Sequence, residues 1–152
     1  MGEPLTDSDL IELRRLVDAY ADAVDRKDES RLLSLFTGDG VLRVQTDEGP
    51  IENEWAGPAL PNSYEPLQPY QRTFHHVGGA VFEADDGGAS GRVHCMAHHY
   101  QKTSNGPVDL VMMIRYHDRY SVQAGAWRIA ERRVAIEWTE LHPAHPLRRP
   151  RR

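Results

Sequence analysis

Four long stretches with the composition of β-strands fill the second half of this chain, and only short turn sequences separate them. They cover residues 73–83, 91–102, 108–120 and 126–138. The intervening segments are rich in the glycine, asparagine and aspartate residues that favour turns. A turn of a few residues joins strands in antiparallel pairs, whereas parallel strands need a longer crossover. The sequence therefore predicts a meander of four antiparallel strands.

The third of these stretches indicates which face of the sheet is buried. The even-numbered positions from 108 to 116, and position 120, are all apolar or aromatic. Arg115, His117 and Arg119 lie at odd-numbered positions. Successive strand residues point to opposite faces. One face of the predicted sheet therefore packs on a core, and the other face is in contact with water.

The first half of the chain predicts helices. Apolar residues recur at helical spacing from Leu10 to Val24, after a capping residue at Thr6 or Asp7. A second short helix follows over residues 30–36. Helices first and an antiparallel sheet afterwards predict an α+β domain with the helices packed on one sheet face.

We place one domain at residues 1–141, because a chain of 152 residues suits a single core. Residues 142–152 contain two prolines before four arginines and another proline among them. We treat this segment as a flexible basic tail.

Residues 49–71 lie between a predicted first strand, at 41–45, and the meander. They include five prolines, so we predict mostly loop with a short helical turn. A loop of this length is uncommon inside a compact domain and is often functional. We expect it to cover or rim a ligand pocket and to place at least one of Trp55, Tyr64 and Tyr70 there.

Charge and cysteine content exclude several classes of protein. The formal net charge of −5 argues against nucleic acid as the main partner. No apolar run approaches the roughly 20 residues that span a bilayer, and the polar, acidic start is unlike a secretory signal. Cys95 is the only cysteine, which excludes an internal disulfide and fits a reducing compartment. We therefore expect a cytoplasmic protein with no membrane partner.

Two pairs of adjacent histidines lie on neighbouring predicted strands, His75-His76 and His98-His99. Each pair offers at most one imidazole to a given face of the sheet. The residues that share the parity of His76 are Phe74, Ala80 and Phe82, and those that share the parity of His99 are Val93, Cys95 and Ala97. The set around His99 predicts the more enclosed position, although a β-bulge would invert the assignment. A strand histidine can also be an ordinary core residue.

Asp25 ends the first predicted helix, where its negative charge opposes the helix dipole. A residue placed against a local preference can mark a functional position. Alternatively, Asp25 forms one solvated stripe with Asp18 and Asp22 beside Arg26 and Lys27. The residues alone leave both interpretations open.

The histidines do not follow a metal-binding pattern. His94 and His98 share a strand face but are about 13 Å apart, whereas zinc–histidine bonds are about 2 Å long. His142 and His145 lie in the proline-rich tail, and no glycine-rich phosphate-binding pattern is present. We therefore expect neither a metal ion nor a cofactor.

Three segments taken together resemble the SnoaL-like branch of the nuclear-transport-factor-2-like superfamily. They are residues 24–32 (VDRKDESRL), 73–79 (TFHHVGG) and 125–130 (GAWRIA). The chain is similar over roughly residues 8–140 to scytalone dehydratase, bile-acid 7α-dehydratase and hexachlorocyclohexane dehydrochlorinase. The resemblance implies a cone-shaped barrel of the α+β class, in which N-terminal helices pack on a strongly curved, mainly antiparallel sheet that encloses a pocket.

The resemblance also implies catalytic residues. In this branch an aspartate after the first helix pairs with a histidine at the start of a strand, which matches Asp25 and His76. A second polar pocket residue matches best at His99. A histidine oriented by a carboxylate can remove a proton from a substrate, while His99 or a tyrosine acts as the acid. The expected substrate-binding residues are Tyr20, Val24, Trp55, Tyr64, Tyr70, Phe74, Cys95 and Met112.

The leading hypothesis is a cofactor-independent, dehydratase-like lyase or isomerase that acts on a small hydrophobic, polycyclic, steroid-like or polyketide-like substrate. The alternatives are a non-catalytic binding protein for a small hydrophobic ligand and a dimerisation module. Relatives in this branch are typically oligomers, so we expect a homodimer, or else a trimer. The surface expected to mediate contact consists of Met113, Arg115, His117, Arg119, Arg128, Arg132, Val134, Ile136 and Trp138.

Overall fold

Two α-helices, one 3₁₀ helix and six strands make up the computed structural model, which describes residues 2–145. In chain order these are α1 (Asp7–Arg26), α2 (Glu29–Leu35), β1 (Phe36–Thr46), β2 (Ile51–Ala56), the 3₁₀ helix (Gly57–Leu67), β3 (Arg72–Asp85), β4 (Gly88–Thr103), β5 (Gly106–Gln123) and β6 (Ala126–Pro143). The last strand continues beyond residue 141, and the arginines of the predicted basic tail lie outside the described residues.

The strands form one mixed sheet in the order β2-β1-β6-β5-β4-β3. Strands β3 to β6 pair as an antiparallel meander, as predicted, and only β1 and β6 are parallel. Helix α1 packs against β3 and β6 on one side of the sheet. The sheet is curved and open, which confirms the α+β class and the predicted layering. None of the helices within residues 2–145 is long and apolar enough to cross a membrane.

Helix α1 begins with a capping box, in which Thr6 and Asp9 satisfy each other's backbone N–H groups. The carboxylate of Asp9 also accepts a hydrogen bond of 2.9 Å from the indole of Trp127 on β6. Lys27 ends the helix in the left-handed conformation, with φ of 52°. The capped start and the sharp end fix where α1 lies on the sheet, and therefore where Asp25 lies.

The segment that we predicted as mostly loop contains β2 and the 3₁₀ helix. Strand β2 is an edge strand that pairs with β1 alone, and its side chains are exposed except for Trp55, which is half-buried. Without a buried face, such a strand shows no alternation of apolar and polar residues in the sequence. The structure also extends β1 back to Phe36, so the strand includes the last residue of the predicted second helix and the following glycines, Gly38 and Gly40.

Three β-bulges in β3 and β6 change the predicted faces of the sheet. In β3, Val77 pairs with Cys95 but Ala80 pairs with Val93, so one extra residue lies at Gly78-Gly79. In β6, Trp138 pairs with Met113 and Ile136 pairs with Ile114, so Glu137 is an extra residue. Ala130 is a second extra residue in β6, because Glu131 pairs with Arg119 and Ile129 pairs with Tyr120. Each bulge inverts the alternation beyond it, and period-2 parity across any one of them therefore gives a wrong face.

The predicted contact surface on β6 was wrong at Arg132, Val134 and Ile136, which lie on the inner side of the sheet. Arg132 is completely buried, and its guanidinium donates hydrogen bonds of 2.9 and 2.6 Å to Asp118. Its central carbon lies 4.2 Å from the ring centroid of Tyr20 and 4.0 Å from that of Tyr116. An arginine can occupy the interior here because a carboxylate and two aromatic faces replace its hydration.

Candidate active site

A cavity of about 260 Å³ lies between α1, the concave face of the sheet and the 3₁₀ helix. Most of its lining is apolar or aromatic, which suits a small organic ligand. The lining residues are Tyr20, Val24, Leu42, Val44, Asn53, Trp55, Ser63, Tyr64, Pro66, Leu67, Tyr70, His75, His99, Met112, Ile114, Tyr116, Val134 and Ile136. Among them are no lysine, arginine, aspartate or glutamate residues.

The carboxylate of Asp25 and the imidazole of His75 form a pair, the dyad, at this cavity. The Nδ1 atom of His75 is 2.6 Å from one carboxylate oxygen of Asp25, and the backbone N–H of His75 donates a hydrogen bond of 2.9 Å to the other. The hydroxyl of Thr73 donates a third hydrogen bond of 2.9 Å to Asp25. The end of α1 is thereby joined to the start of β3, and the imidazole of His75 is fixed in the cavity wall.

The hydrogen bonds to Asp25 set its charge state. Burial raises the pKa of the Asp25 carboxyl, but the hydrogen bonds from the side chain and backbone of His75 and from Thr73 outweigh it, and the pKa lies below its ordinary value. Asp25 is therefore ionised at neutral pH and accepts the Nδ1 proton of His75. The Nε2 atom of neutral His75 then carries the lone pair that a general base needs.

The prediction that His76 would pair with Asp25 was wrong, because the partner is the preceding residue, His75. His76 lies on the convex face, in a groove that also contains Met96, Met113 and Trp138. The assignment of His76 came from the resemblance, and the sequence parity that it shares with Ala80 and Phe82, which pack on the core, did not contradict it. The bulge at Gly78-Gly79 lies between them and His76 and inverts that parity.

His99 lies in the same cavity wall as His75, on the neighbouring strand β4, and is enclosed as the small residues around it predict. It is 2% exposed, and its ring centroid lies 6.0 Å from that of His75 and 4.9 Å from that of Tyr70. Its Nδ1 atom is 3.0 Å from the carbonyl oxygen of Leu110, which can only accept, so Nδ1 carries the proton. Burial lowers the pKa of His99, which favours the neutral ring with a free lone pair on Nε2. In this state His99 accepts hydrogen bonds rather than donating an acidic proton.

We expect NMR to show His99 as the Nδ1–H tautomer, with a pKa below 6.5. The unfolded chain then binds more protons than the folded protein as the pH falls below about 6.5, so the stabilisation associated with neutral His99 is complete above that pH and is lost below it. Long-range nitrogen–proton correlation spectra against pH measure both quantities, and a His99→Gln spectrum gives the assignment. An Nε2–H tautomer would contradict the prediction.

The structure places six of the eight expected substrate-binding residues in the cavity wall: Tyr20, Val24, Trp55, Tyr64, Tyr70 and Met112. Three of them come from residues 49–71, the segment that we expected to cover or rim the pocket. The same segment supplies Asn53 and Ser63, which the sequence did not predict. The other two expected residues lie outside the lining. Phe74 is 63% exposed because it shares the outward face of His76, and Cys95 is buried in the core.

The hydroxyl groups of the cavity tyrosines differ in burial and in whether they already form a hydrogen bond within the protein. The Tyr64 hydroxyl donates to the carbonyl of Ala23 at 3.2 Å. Burial raises the pKa of Tyr20 to about 12, and it raises that of Tyr116 well above its ordinary value. The Tyr70 hydroxyl has no hydrogen-bond partner among residues 2–145 and lies on the ring that contacts His99. Tyr70 is therefore the tyrosine best placed to donate a proton to a ligand.

Comparison with known proteins gives one family match and several similar structures. Residues 8–133 match the family model described as a SnoaL-like domain. No curated protein matches this chain.

Three solved structures illustrate the similarity in fold. The protein Kfla4162 from Kribbella flavida is 20% identical, with 88% of this chain and 94% of that chain covered and a TM-score of 0.76. A type 2 hexachlorocyclohexane dehydrochlorinase, LinA, is 17% identical, with 94% and 95% covered and a TM-score of 0.76. A proposed scytalone dehydratase from Novosphingobium aromaticivorans is 21% identical, with 97% and 100% covered and a TM-score of 0.71.

Proposed function

This chain belongs to the SnoaL-like domain family, and from that premise we propose that it is a lyase or isomerase that transfers a proton on a small, neutral, hydrophobic substrate. The Asp25–His75 pair at an apolar cavity is the observation that carries the proposal. Similar structures that are named as a dehydrochlorinase and as a scytalone dehydratase support it, because both names denote eliminations. We propose a polycyclic or polyketide-like carbon skeleton for the substrate, in keeping with the aromatic lining.

In the proposed reaction His75 is the general base and Asp25 is the positioning residue. The Nε2 atom of His75 takes a proton from a carbon next to a carbonyl group, and the electron pair of the broken C–H bond forms a carbon–carbon double bond. In an elimination the hydroxyl leaving group departs with its bonding electrons and takes a proton from Tyr70, so that water forms. In an isomerisation the new double bond forms as the π electrons of the carbonyl group move onto its oxygen, giving an enolate. The carbonyl then re-forms as a different carbon of the conjugated enolate takes the proton back from His75. The carboxylate of Asp25 stabilises the imidazolium in between.

A second candidate function is non-catalytic binding of a neutral hydrophobic ligand. The composition of the cavity wall favours it, since apart from the tyrosine hydroxyls and the indole N–H of Trp55 only Asn53, Ser63, His75 and His99 supply polar side-chain groups. A binding site of this kind needs apolar contact and a few orienting groups, and it does not need a base.

Hydrogen–deuterium exchange distinguishes the two functions without knowledge of the natural substrate. We suggest incubating the protein in D₂O with a panel of neutral polycyclic ketones and β-hydroxyketones, and following α-carbon deuteration and loss of water by mass spectrometry. Binding is measured in parallel by quenching of Trp55 fluorescence, with Trp55→Phe as the control for the other two tryptophans. Deuteration that depends on the protein supports catalysis. Saturable quenching with no exchange for any ligand favours the binding function.

We also propose that the protein is a homo-oligomer, most simply a dimer, that associates through the convex face. Support comes from the groove that His76, Met96, Met113 and Trp138 help to line, where Trp138 is 54% exposed. Burying such apolar groups against a second copy is favourable. Sedimentation velocity at micromolar concentration is expected to give about twice the chain mass, and Trp138→Glu to shift it toward the monomer. A wild-type monomer would refute the proposal.

A further inference from the structure

A row of basic side chains crosses the convex face of the sheet. Arg92 on β4 pairs in register with His117 on β5, His117 pairs with Arg133 on β6, and Arg133 pairs with Arg43 on β1. Side chains directly opposite each other on neighbouring strands have Cβ atoms about 5 Å apart, and like charges in such positions are destabilising. A row of this kind therefore opposes folding unless negative charge compensates it.

The carboxylates near this row are already paired. Glu83 binds Arg92 at 3.4 Å, and Arg43 binds Glu54 at 2.6 Å and also contacts Glu131. The fourth carboxylate of the region, Asp118, faces the interior, where it binds Arg132 at 2.6 Å. Each of these four acids therefore pairs with an arginine other than Arg133.

Two arginines remain without a carboxylate. Within residues 2–145 neither Arg119 nor Arg133 forms an ion pair, and both line a depression of about 300 Å³. Its other polar lining residues are Ser90, Arg92, His117, Glu83, Asp118 and Glu131. The pKa of His117 is lowered first by burial and then by the positive charges of Arg133 and Arg115, whereas Asp118 and Glu137 act in the opposite direction. The depression therefore contains two guanidinium groups that no carboxylate binds, beside three carboxylates that each bind another arginine.

We propose that this depression binds a phosphate-type oxyanion, either free or as the terminal group of a larger ligand. Arg119 and Arg133 are diagonal neighbours across the β5–β6 pair, because Arg119 pairs with Glu131 and His117 with Arg133. Diagonal neighbours on adjacent strands are about 7–8 Å apart. Two arginine side chains at this separation are long enough for both guanidinium groups to contact one oxyanion. The hydroxyl of Ser90 and the imidazole of His117 provide further donors. The site lies on the opposite face of the sheet from the Asp25–His75 cavity, so it does not depend on the proposed function.

Titration with inorganic phosphate at constant ionic strength tests the proposal, with chloride as the exchanged anion. We expect a saturable change in the His117 ring resonance, with a dissociation constant in the millimolar range, and no such change at His142. Arg119→Gln and Arg133→Gln should each weaken binding about tenfold, because each removes a charge-assisted hydrogen bond. The matched control is Arg15→Gln on α1, which removes the same charge from a different surface. Methyl phosphate tests whether the site accepts a phosphate monoester as well as the free ion.

Three outcomes would overturn the proposal: a linear response to phosphate, equal affinity in the wild type and in both sheet variants, or the same loss in Arg15→Gln as in the others. Arg119 is exposed, so its variant remains informative if Arg133→Gln is less stable. Because the readout is binding at His117, a protein that fails every deuterium-exchange assay can still pass this test.

Discussion

Substituting asparagine for His75 is expected to lower the rate of proton transfer by about 10²–10⁴-fold, the usual contribution of a general base. His75 alone among the histidines combines an ionised partner with a place in the cavity wall. The matched control is His76→Asn, one residue further along the same strand, and its rate should stay within about twofold of the wild type. The deuterium-exchange assay described above measures both rates on the same substrate.

The Asp25→Asn variant separates a positioning role from a purely structural one. An amide cannot fix the Nδ1–H tautomer of His75 or stabilise its imidazolium, so we expect kcat to fall while KM changes little. Asp25→Glu should restore part of the rate if negative charge is what matters. If His76→Asn lost as much activity as His75→Asn, the assignment of the base would be refuted. Circular dichroism spectra that match the wild type confirm that each variant is folded.

Replacing Arg132 by methionine is expected to lower the free energy of unfolding by about 3–5 kcal/mol, because it leaves the carboxylate of Asp118 buried without its partner. The loss also removes two aromatic contacts, with Tyr20 and Tyr116. In a chain of this size such a change corresponds to a decrease in Tm of roughly 10–15 °C. Thermal and urea unfolding of the purified variant measure it.

The double variant Arg132→Met with Asp118→Leu is the informative control. Removing both charges removes the unpaired carboxylate, so we expect a smaller loss of stability than for Arg132→Met alone. The surface pair of Arg14 and Asp18 provides the exposed comparison. Its disruption in Asp18→Asn, which keeps the hydrogen bonds from Arg14 to the carbonyl groups of Val77 and Gly78, should cost no more than about 1 kcal/mol. A loss for Arg132→Met as small as that for Asp18→Asn would show that the buried pair contributes little.

The periodic parts of the chain were predictable from the sequence. The helical spacing that ends at Val24 and the turn-separated strands after residue 72 gave the layering and the meander, because each element buries one face of its own. Strand β2 was not predictable in this way, since its side chains are mostly exposed and only backbone pairing with β1 defines it.

The sequence predicted which residues belong to the candidate site better than it predicted the face of the sheet on which each residue lies. The pattern of residues predicted His99 and the aromatic residues of segment 49–71, and the resemblance predicted Asp25. The choice between His75 and His76 depends on a bulge that period-2 reasoning does not detect. The burial of Arg132 was missed for a different reason. An arginine on a strand is ordinarily exposed, and its acidic partner Asp118 comes from a neighbouring strand.

The three hydrogen bonds to Asp25 have a consequence for how the protein moves. The same carboxylate orients the imidazole of His75 and joins the last turn of α1 to the first residues of β3. A fluctuation that frays the end of α1 therefore disassembles the dyad in the same event, whereas fraying at the start of the helix leaves the dyad intact. The amide of His75, which donates to Asp25, exchanges with solvent only when this junction opens. Its protection factor thus measures how often the site is assembled at equilibrium.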